Sequence, residues 1–398
     1  MAQTLTWCFL MLGVASVSLG AQTLSNEEIR KILAERVDGR KQAVGMVVGV
    51  VDSAGKRVVA YGTTGRGEGA KAVDGDTLFE IGSVTKVFTG QLLAEAVARG
   101  GVKLEDPVQK LLPAEVKMPE RSGKGITLLD LSQHRSGLPR LPGNLSPPDM
   151  ANPYAAYTVA AMYEFLNGHT LRRDPGAEFE YSNLGVGLLG HALVREAKAS
   201  SYEALVRERI LKPLGMTSTA IALDEKLAAR MSKGHNQALV EVKLWDLPAI
   251  AGAGALRSSV NDMLRFVEAH AGLRKSELAA VTASMVNGAR RPAMGGMEVG
   301  LGWMIAKKKD GGEMVWHNGG TGGFQSFVGY DAKLRVGVVV LSNGQVPPGV
   351  DDIGRHLLDP ASPLAPAKKE RKEITMDPKL YGPFEGRYQL APGFVLQV

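Results

Sequence analysis

The chain has 398 residues, 44% of them apolar and 22% charged, an ordinary globular composition. That length holds two average domains or one large mixed unit. A net charge of +6 over the whole chain is a mild excess that falls short of a nucleic-acid footprint, so no nucleic-acid partner is expected. The basic clusters Lys307-Lys308-Lys309 and Lys368-Lys369-Glu370-Arg371-Lys372 read as solvated turns and linker.

The run from Trp7 to Leu19 is apolar but too short for a spanning helix, and Ser18-Leu19-Gly20 offers the small residues a signal peptidase reads. Residues 1–20 are therefore expected to be an export signal, cleaved before Ala21, and the mature protein to be periplasmic or extracellular with no transmembrane anchor. Cys8, the chain's one cysteine, falls inside this segment, so stability must come from an ordinary core rather than a disulfide. Residues 25–37 read as an amphipathic helix with Ser25 as N-cap and Glu28 three residues on. Next, VGMVVGVVDSAGKRVVAYG reads as a β-hairpin turning at Asp52-Ser53-Ala54-Gly55.

From about residue 84 to 245 the apolar spacing is mostly helical, with helix-like runs at Val84–Arg99, Leu184–Ala197 and Tyr202–Leu211. EMVWH, FQSFVGY and LRVGVVVLSN then form an antiparallel meander. A hairpin near one end and a meander near the other predict one sheet built from both ends of the chain. The fold class is α+β with an inserted helical region, and the cleft between the two halves is the natural place for a site. Residues 21–358 form the catalytic domain in this reading, and 359–398 a linker rich in Pro, Ala and Lys followed by a short β tail too small to fold alone.

The chemistry-bearing pattern begins at Ser83-Val84-Thr85-Lys86, which opens a helical run. Residues i and i+3 share a helix face, so the Ser83 hydroxyl and the Lys86 amine can meet. Backbone N–H groups at a helix start point at a developing oxyanion, and burial lowers a lysine's pKa enough to make it a base. Ser-x-x-Lys alone arises often by chance: Ser53-Ala54-Gly55-Lys56 fits it equally but reads as turn chemistry. Two further elements distinguish the Ser83 copy. Tyr181-Ser182-Asn183 is the chain's single Tyr-x-Asn, placed just before a helix; Tyr181 can relay a proton between Ser83 and a leaving group if a nearby ammonium lowers its pKa. His317-Asn318-Gly319-Gly320-Thr321-Gly322-Gly323-Phe324 ends the EMVWH strand, where glycines let a substrate backbone lie against a strand edge and Gly320 can offer a second oxyanion N–H.

SVTK, YSN and HNGGTGGF, in that order, resemble the penicillin-recognising serine hydrolases, the group of class C β-lactamases and D-Ala-D-Ala carboxypeptidases. LLDLSQHRSGLP, ILKPLGMTSTA, AGAGALRSSVNDMLRF and GLGW extend the resemblance over roughly residues 28 to 345. The resemblance implies an antiparallel β-sheet flanked by helices plus an all-helical region, with the active site in the cleft between them. It also implies Ser83 as nucleophile, Lys86 and Tyr181 as general base and acid, and Asn183 as a substrate hydrogen-bond donor. It places His317 at the position of the third motif's basic residue and assigns the oxyanion N–H groups to Ser83 and Gly320. Class C β-lactamases usually carry Lys-Thr-Gly where this chain has His317-Asn318-Gly319. A mostly neutral imidazole, with a reference pKa near 6.5, holds a substrate carboxylate less firmly than a lysine does. The tail resembles only the opening of the small C-terminal β-domain that some relatives carry.

No Gly-x-Ser-x-Gly elbow, His-Glu-x-x-His or phosphate-binding Gly-x-x-x-x-Gly-Lys-Ser/Thr occurs, and neither metal nor cofactor is expected. His134 reads as a packed loop residue. Three functions remain open: an amide hydrolase of β-lactams or peptidoglycan-derived D-Ala-D-Ala peptides, an esterase using the same serine on short acyl esters, and a non-catalytic peptidoglycan binder. The expected state is a monomer.

Overall fold

A computed structural model describes residues 23–367, 377–391 and 394–398. The expected export signal, residues 1–20, and Cys8 within it lie outside the described residues. By Cα packing the chain divides into a large unit up to Leu364 and a small one from Ala365 to Val398.

The first helix, Asn26–Ala34, starts where expected, because Ser25 and Glu28 satisfy each other's backbone N–H groups in a capping box, a device worth about 1 kcal/mol. It runs on through a wider π-turn over Glu35–Gly39. Strands Gly45–Asp52 and Gly55–Gly62 form the predicted hairpin, with Asp52 opposite Gly55 across the two-residue turn. The meander strands are Glu313–Gly320, Gln325–Asp331 and Val336–Ser342. The two ends of the chain join where Met46 pairs with Ser342 and Val51 with Gly337.

The result is an eight-stranded antiparallel sheet. In order across it lie Gly55–Gly62, Gly45–Asp52, Val336–Ser342, Gln325–Asp331, Glu313–Gly320, Met304–Lys307, Glu298–Val299 and Arg291–Pro292. Its central strands are buried on both faces, and the period of two assigns their side chains to two cores. Val47, Val51, Val339 and Leu341 join one core with Leu264 and Val267 of helix Val260–His270. Met46, Val48, Val50, Val338 and Val340 join the other with Ile29 and Leu33 of the first helix and Ile353 and Leu357 of helix Asp351–Leu358. Burial on both sides explains why these strands read as continuous valine runs rather than as an alternation.

The helical region continues the first of these cores. Helix Thr85–Ala98 is buried on nearly every side from Thr85 to Leu93, and Asn183–Glu196 packs against it. The region is less continuous than its apolar spacing predicts. Long loops separate short helices at Leu128–Ser132 and Val159–Gly168, and a two-stranded hairpin, Gly234–His235 with Glu241–Val242, falls inside the stretch read as helical. The run predicted as one helix over Tyr202–Leu211 is α-helical to Val206, opens into a π-turn, and ends at Gly215 in the left-handed conformation. In the small unit, Arg387–Ala391 pairs with Phe394–Gln397 as one antiparallel hairpin.

Candidate active site

Ser83 sits in a 3-10 turn, Gly82–Val84, between strand Leu78–Glu80 and helix Thr85–Ala98. A backbone bond from the Ile81 N–H to the Leu256 carbonyl at 3.1 Å and a 2.8 Å bond from Ser326 Oγ to the Ile81 carbonyl hold this turn against its neighbours. Two glycines make the approach possible. Gly82 has φ +49°, and a Cβ there would stand 2.8 Å from the Gly320 nitrogen. A Cβ on Gly319 would collide with the Ile81 carbonyl and lie 2.9 Å from the Ser83 nitrogen. The strand end and the serine turn therefore touch backbone to backbone, which only glycine permits at these positions.

Lys86, one helical turn beyond Ser83, is 1% exposed. Its Nζ lies 2.9 Å from Ser83 Oγ and 2.6 Å from the Ala253 carbonyl. Burial, and secondarily the positive charge of Arg140, holds its pKa well below the ordinary lysine range. Tyr181 stands on the opposite wall, with Lys86 Nζ 4.9 Å from its ring centroid and the Arg140 guanidinium at 5.2 Å. Burial pushes the Tyr181 phenol up to about 12, against the smaller opposing effects of a hydrogen bond with Ser83 and the charge of Arg140. The sequence-based condition for its role, an ammonium lowering its pKa, is therefore not met: desolvation outweighs the nearby cation, and Tyr181 rests as a neutral phenol that holds a proton.

His134 is the packed loop residue it was expected to be, and its packing bears on the site. Its ring stacks on Tyr181 at 4.3 Å, and its Nδ1 accepts the Ser182 N–H at 3.1 Å. Ser182 in turn caps helix Asn183–Glu196 by accepting from the Gly185 N–H at 2.8 Å, so one loop fixes both Tyr181 and Asn183. Asn183 donates its backbone N–H to the Arg140 carbonyl at 3.0 Å, and its Oδ1 is buried with no hydrogen-bond partner among the described residues.

A cavity of about 600 Å³ is lined by Ser83, Tyr181, Asn183, Asn318, Gly319 and Gly320, so six of the eight sequence-predicted residues face one space. Lys86 lies directly beneath it. His317 does not line it. Alternation along the strand turns its side chain inward, where it is 3% exposed and its ring stands 6.4 Å from that of Tyr181. Burial, followed by the charge of Lys86, pushes its pKa down to about 3, and its Nδ1 contacts the Asn318 carbonyl at 2.6 Å. The expected contact between His317 and a substrate carboxylate is thus replaced by a neutral, buried imidazole behind Tyr181.

Sequence reasoning missed Arg140 and Asp351, the cation and the anion of the cavity wall, and also the Ala253 carbonyl that holds Lys86. Arg140 immediately follows the quoted stretch LLDLSQHRSGLP and carried a signal only by its nearness to it. A second cavity, of about 680 Å³, is lined by His191, Tyr202, Glu203 and Leu247 and contains none of the predicted site residues.

A family model described as beta-lactamase matches residues 29–361. The chain belongs to the beta-lactamase family. Within that family it is 28% identical over 312 residues to the D-alanyl-D-alanine-carboxypeptidase/endopeptidase AmpH of Escherichia coli, a match covering 75% of this chain and 79% of the relative. It is 28% identical over 376 residues to a beta-lactamase of the same species, covering 86% and 95%. Among solved structures, a beta-lactamase/D-alanine carboxypeptidase from Yersinia pestis complexed with citrate superposes with a TM-score of 0.71 at 26% identity, over 85% of this chain and 96% of that one. The antiparallel sheet with its helical region is thus the beta-lactamase family's architecture, and a hydrolase of that family is what the fold carries.

Proposed function

We propose that this protein cleaves amide bonds of D-alanyl peptides, and opens β-lactams, through an acyl-enzyme on Ser83. The observation that carries the reading is the buried Lys86 amine, 2.9 Å from Ser83 Oγ, with a pKa held far below that of a free lysine. A neutral amine at that distance is a general base. Ser83 Oγ gives its proton to Lys86 Nζ and bonds to the substrate carbonyl carbon, while the backbone N–H groups of Ser83 and Gly320 receive the oxyanion. On collapse the carbon–nitrogen bond breaks and the leaving nitrogen takes the Tyr181 proton, which the Lys86 ammonium then replaces. A water repeats the sequence on the acyl-enzyme. Asn183 lines the cavity beside Ser83 and serves there as a substrate hydrogen-bond donor through its side-chain amide.

The names of the relatives support a peptide or β-lactam substrate. A second reading, hydrolysis of short acyl esters by the same serine, is favoured by His317, whose neutral imidazole offers no charge for a substrate carboxylate. Export with cleavage before Ala21 belongs to the same proposal, and N-terminal sequencing of the mature protein tests it.

The deciding experiment exposes the mature protein and Ser83→Ala to a penicillin and follows intact mass. A stable adduct absent from the variant marks a carboxypeptidase-like enzyme, and a transient adduct with accumulating hydrolysed drug marks a β-lactamase. No adduct, in a protein that still cleaves a short-chain ester, replaces the proposal with the esterase.

A further inference from the structure

The space beside Ser83 has two parts. One is a recess of about 30 Å³ among Asn183, Trp245, Leu247, Ala253 and Gly254, and the other is the cavity of about 600 Å³. Ser83, Asn183 and Gly320 border both, whereas Tyr181 and Arg140 line only the larger. Under the proposed mechanism the leaving nitrogen takes its proton from Tyr181, so the departing group occupies the larger part.

In D-alanyl-D-alanine peptides and in penicillins that nitrogen carries a carboxylate on its neighbouring carbon, the carboxyl carbon lying about 2.5 Å from the nitrogen. A carboxylate that gives up hydration in a cavity needs a charged or hydrogen-bonding partner there. The third motif is poorly placed to provide it. His317 is buried, neutral and absent from the lining, and Asn318 Nδ2 already donates to Asp351 Oδ2 at 2.6 Å.

Arg140 is the one cation of the lining among the described residues. Its backbone is fixed, because the Asn183 and Leu184 N–H groups both donate to its carbonyl, at 3.0 and 3.3 Å. Its guanidinium stands 5.2 Å from the centre of the Tyr181 ring, whose hydroxyl gives up the proton. Neither an ion pair nor a side-chain hydrogen bond holds that guanidinium among the described residues, and Asp351, the one acid of the lining, is bonded to Asn318 instead. The side chain is exposed and keeps its donors free, and its planar fork matches the two oxygens of a carboxylate. An unclaimed guanidinium beside the proton donor thus faces a carboxylate only two bonds from the nitrogen being protonated.

We propose that Arg140 is the substrate-binding residue that recognises the carboxylate of the departing group, in place of a basic side chain from the third motif. The inference rests on the acyl-enzyme reading and narrows it. The preferred D-alanyl substrates are those that release a terminal amino acid with its carboxylate free, rather than an amidated residue or one extended by further chain.

The test compares benzylpenicillin, whose carboxylate sits on the carbon next to the leaving nitrogen, with its methyl ester. Acylation rates of the whole mature protein are read by intact mass for wild type and Arg140→Gln, at a pH where the rate has levelled. The quantity compared is the ratio of free-acid to ester rate, in which any effect of Arg140 on Lys86 is common to both compounds and cancels. The expected result is a ratio about tenfold lower in Arg140→Gln, the low end for a hydrogen bond to a charged group, arising from slower reaction of the free acid. Arg140→Met, which keeps an unbranched stem beside Tyr181, serves the same comparison if the glutamine variant does not fold. A ratio within about twofold of wild type, with acylation intact, overturns the role of Arg140 and leaves the acyl-enzyme reading standing. No acylation of wild type by either compound overturns that reading and this inference with it.

Discussion

Ser83 Oγ and Lys86 Nζ lie 2.9 Å apart on one helical face, and the lysine's remaining recorded bond goes to a backbone carbonyl, that of Ala253. A carboxylate partner would have kept Lys86 protonated; a carbonyl and a buried setting leave its amine free to take a proton.

The pH dependence follows in sign. Lys86 works as a neutral amine, so the acylation rate rises as pH climbs through its depressed pKa and then levels. Arg140 contributes to the depression. Arg140→Ala should therefore move the rise to higher pH, and Lys86→Ala should lower the rate by about a thousandfold or more and flatten the profile. Stopped-flow acylation across pH measures both, and an Arg140→Ala profile that moves to lower pH contradicts the assignment.

Tyr181→Phe removes the proton donor while keeping the ring that stacks on His134. A rate loss of about a hundredfold or more is expected, with a melting temperature close to wild type. A near-normal rate in this variant takes Tyr181 out of the mechanism.

The second Ser-x-x-Lys copy is inert in this account. Ser53 is exposed in the hairpin turn, and Lys56 is paired with Glu268 at 2.6 Å. Ser53→Ala should leave the acylation rate within about twofold of wild type, because surface substitutions of this kind cost at most a few tenths of a kcal/mol. A folded but inactive Ser53→Ala protein would reassign the nucleophile.

Gly319→Ala pushes a methyl group into the Ile81 carbonyl and the Ser83 amide. Overpacking of this kind costs roughly 1–3 kcal/mol, and here the strain falls on the oxyanion N–H groups. Acylation should drop by about tenfold or more alongside a lower melting temperature. Full activity would mean that the strand end and the serine turn separate without loss.

His270 provides a stability test away from the cavity. It accepts the Trp303 Nε1–H at 3.3 Å on Nδ1 and sits 3.1 Å from Gln91 Oε1, and burial pushes its pKa down to about 3 from 6.5. Above the unfolded value the imidazole is neutral in both states and its full contribution is present. As pH falls from there toward the folded value, the unfolded chain binds a proton that the fold refuses. The stability difference should shift toward His270→Gln by about 1.4 kcal/mol per pH unit on acidification. Urea titrations of both proteins at several pH values give that slope, and a flat difference rejects it.

Much of this architecture is legible in the residues. The Ser25–Glu28 box, the hairpin turn and the three meander strands each follow from local chemistry, and the three motifs mark the part of the cavity wall around Ser83. What escapes is what depends on distant packing. Nothing near Asp351 signals that its carboxylate meets Asn318, because the pair is made by a helix folding back on the sheet. The inward turn of His317 depends on strand register, and the neutral state of Tyr181 on how deeply its ring is buried. The π-turn at Arg207–Leu211 and the small hairpin at Gly234–Val242 interrupt apolar spacings that read equally well as helix.

The pairing of Gly45–Asp52 with Val336–Ser342 also sets a timetable for biosynthesis. A ribosome adding about 5–20 residues per second makes the second strand roughly 15–60 s after the first. Throughout that interval an apolar valine strand stands beside its hairpin partner with its other edge open, the kind of edge that recruits strands from other chains. Loop closure over most of the chain must then precede the central pairing, which makes folding slow and late. A chain cut anywhere before Ser342 loses part of the strand that covers this edge, so premature termination should yield aggregates rather than a smaller working enzyme.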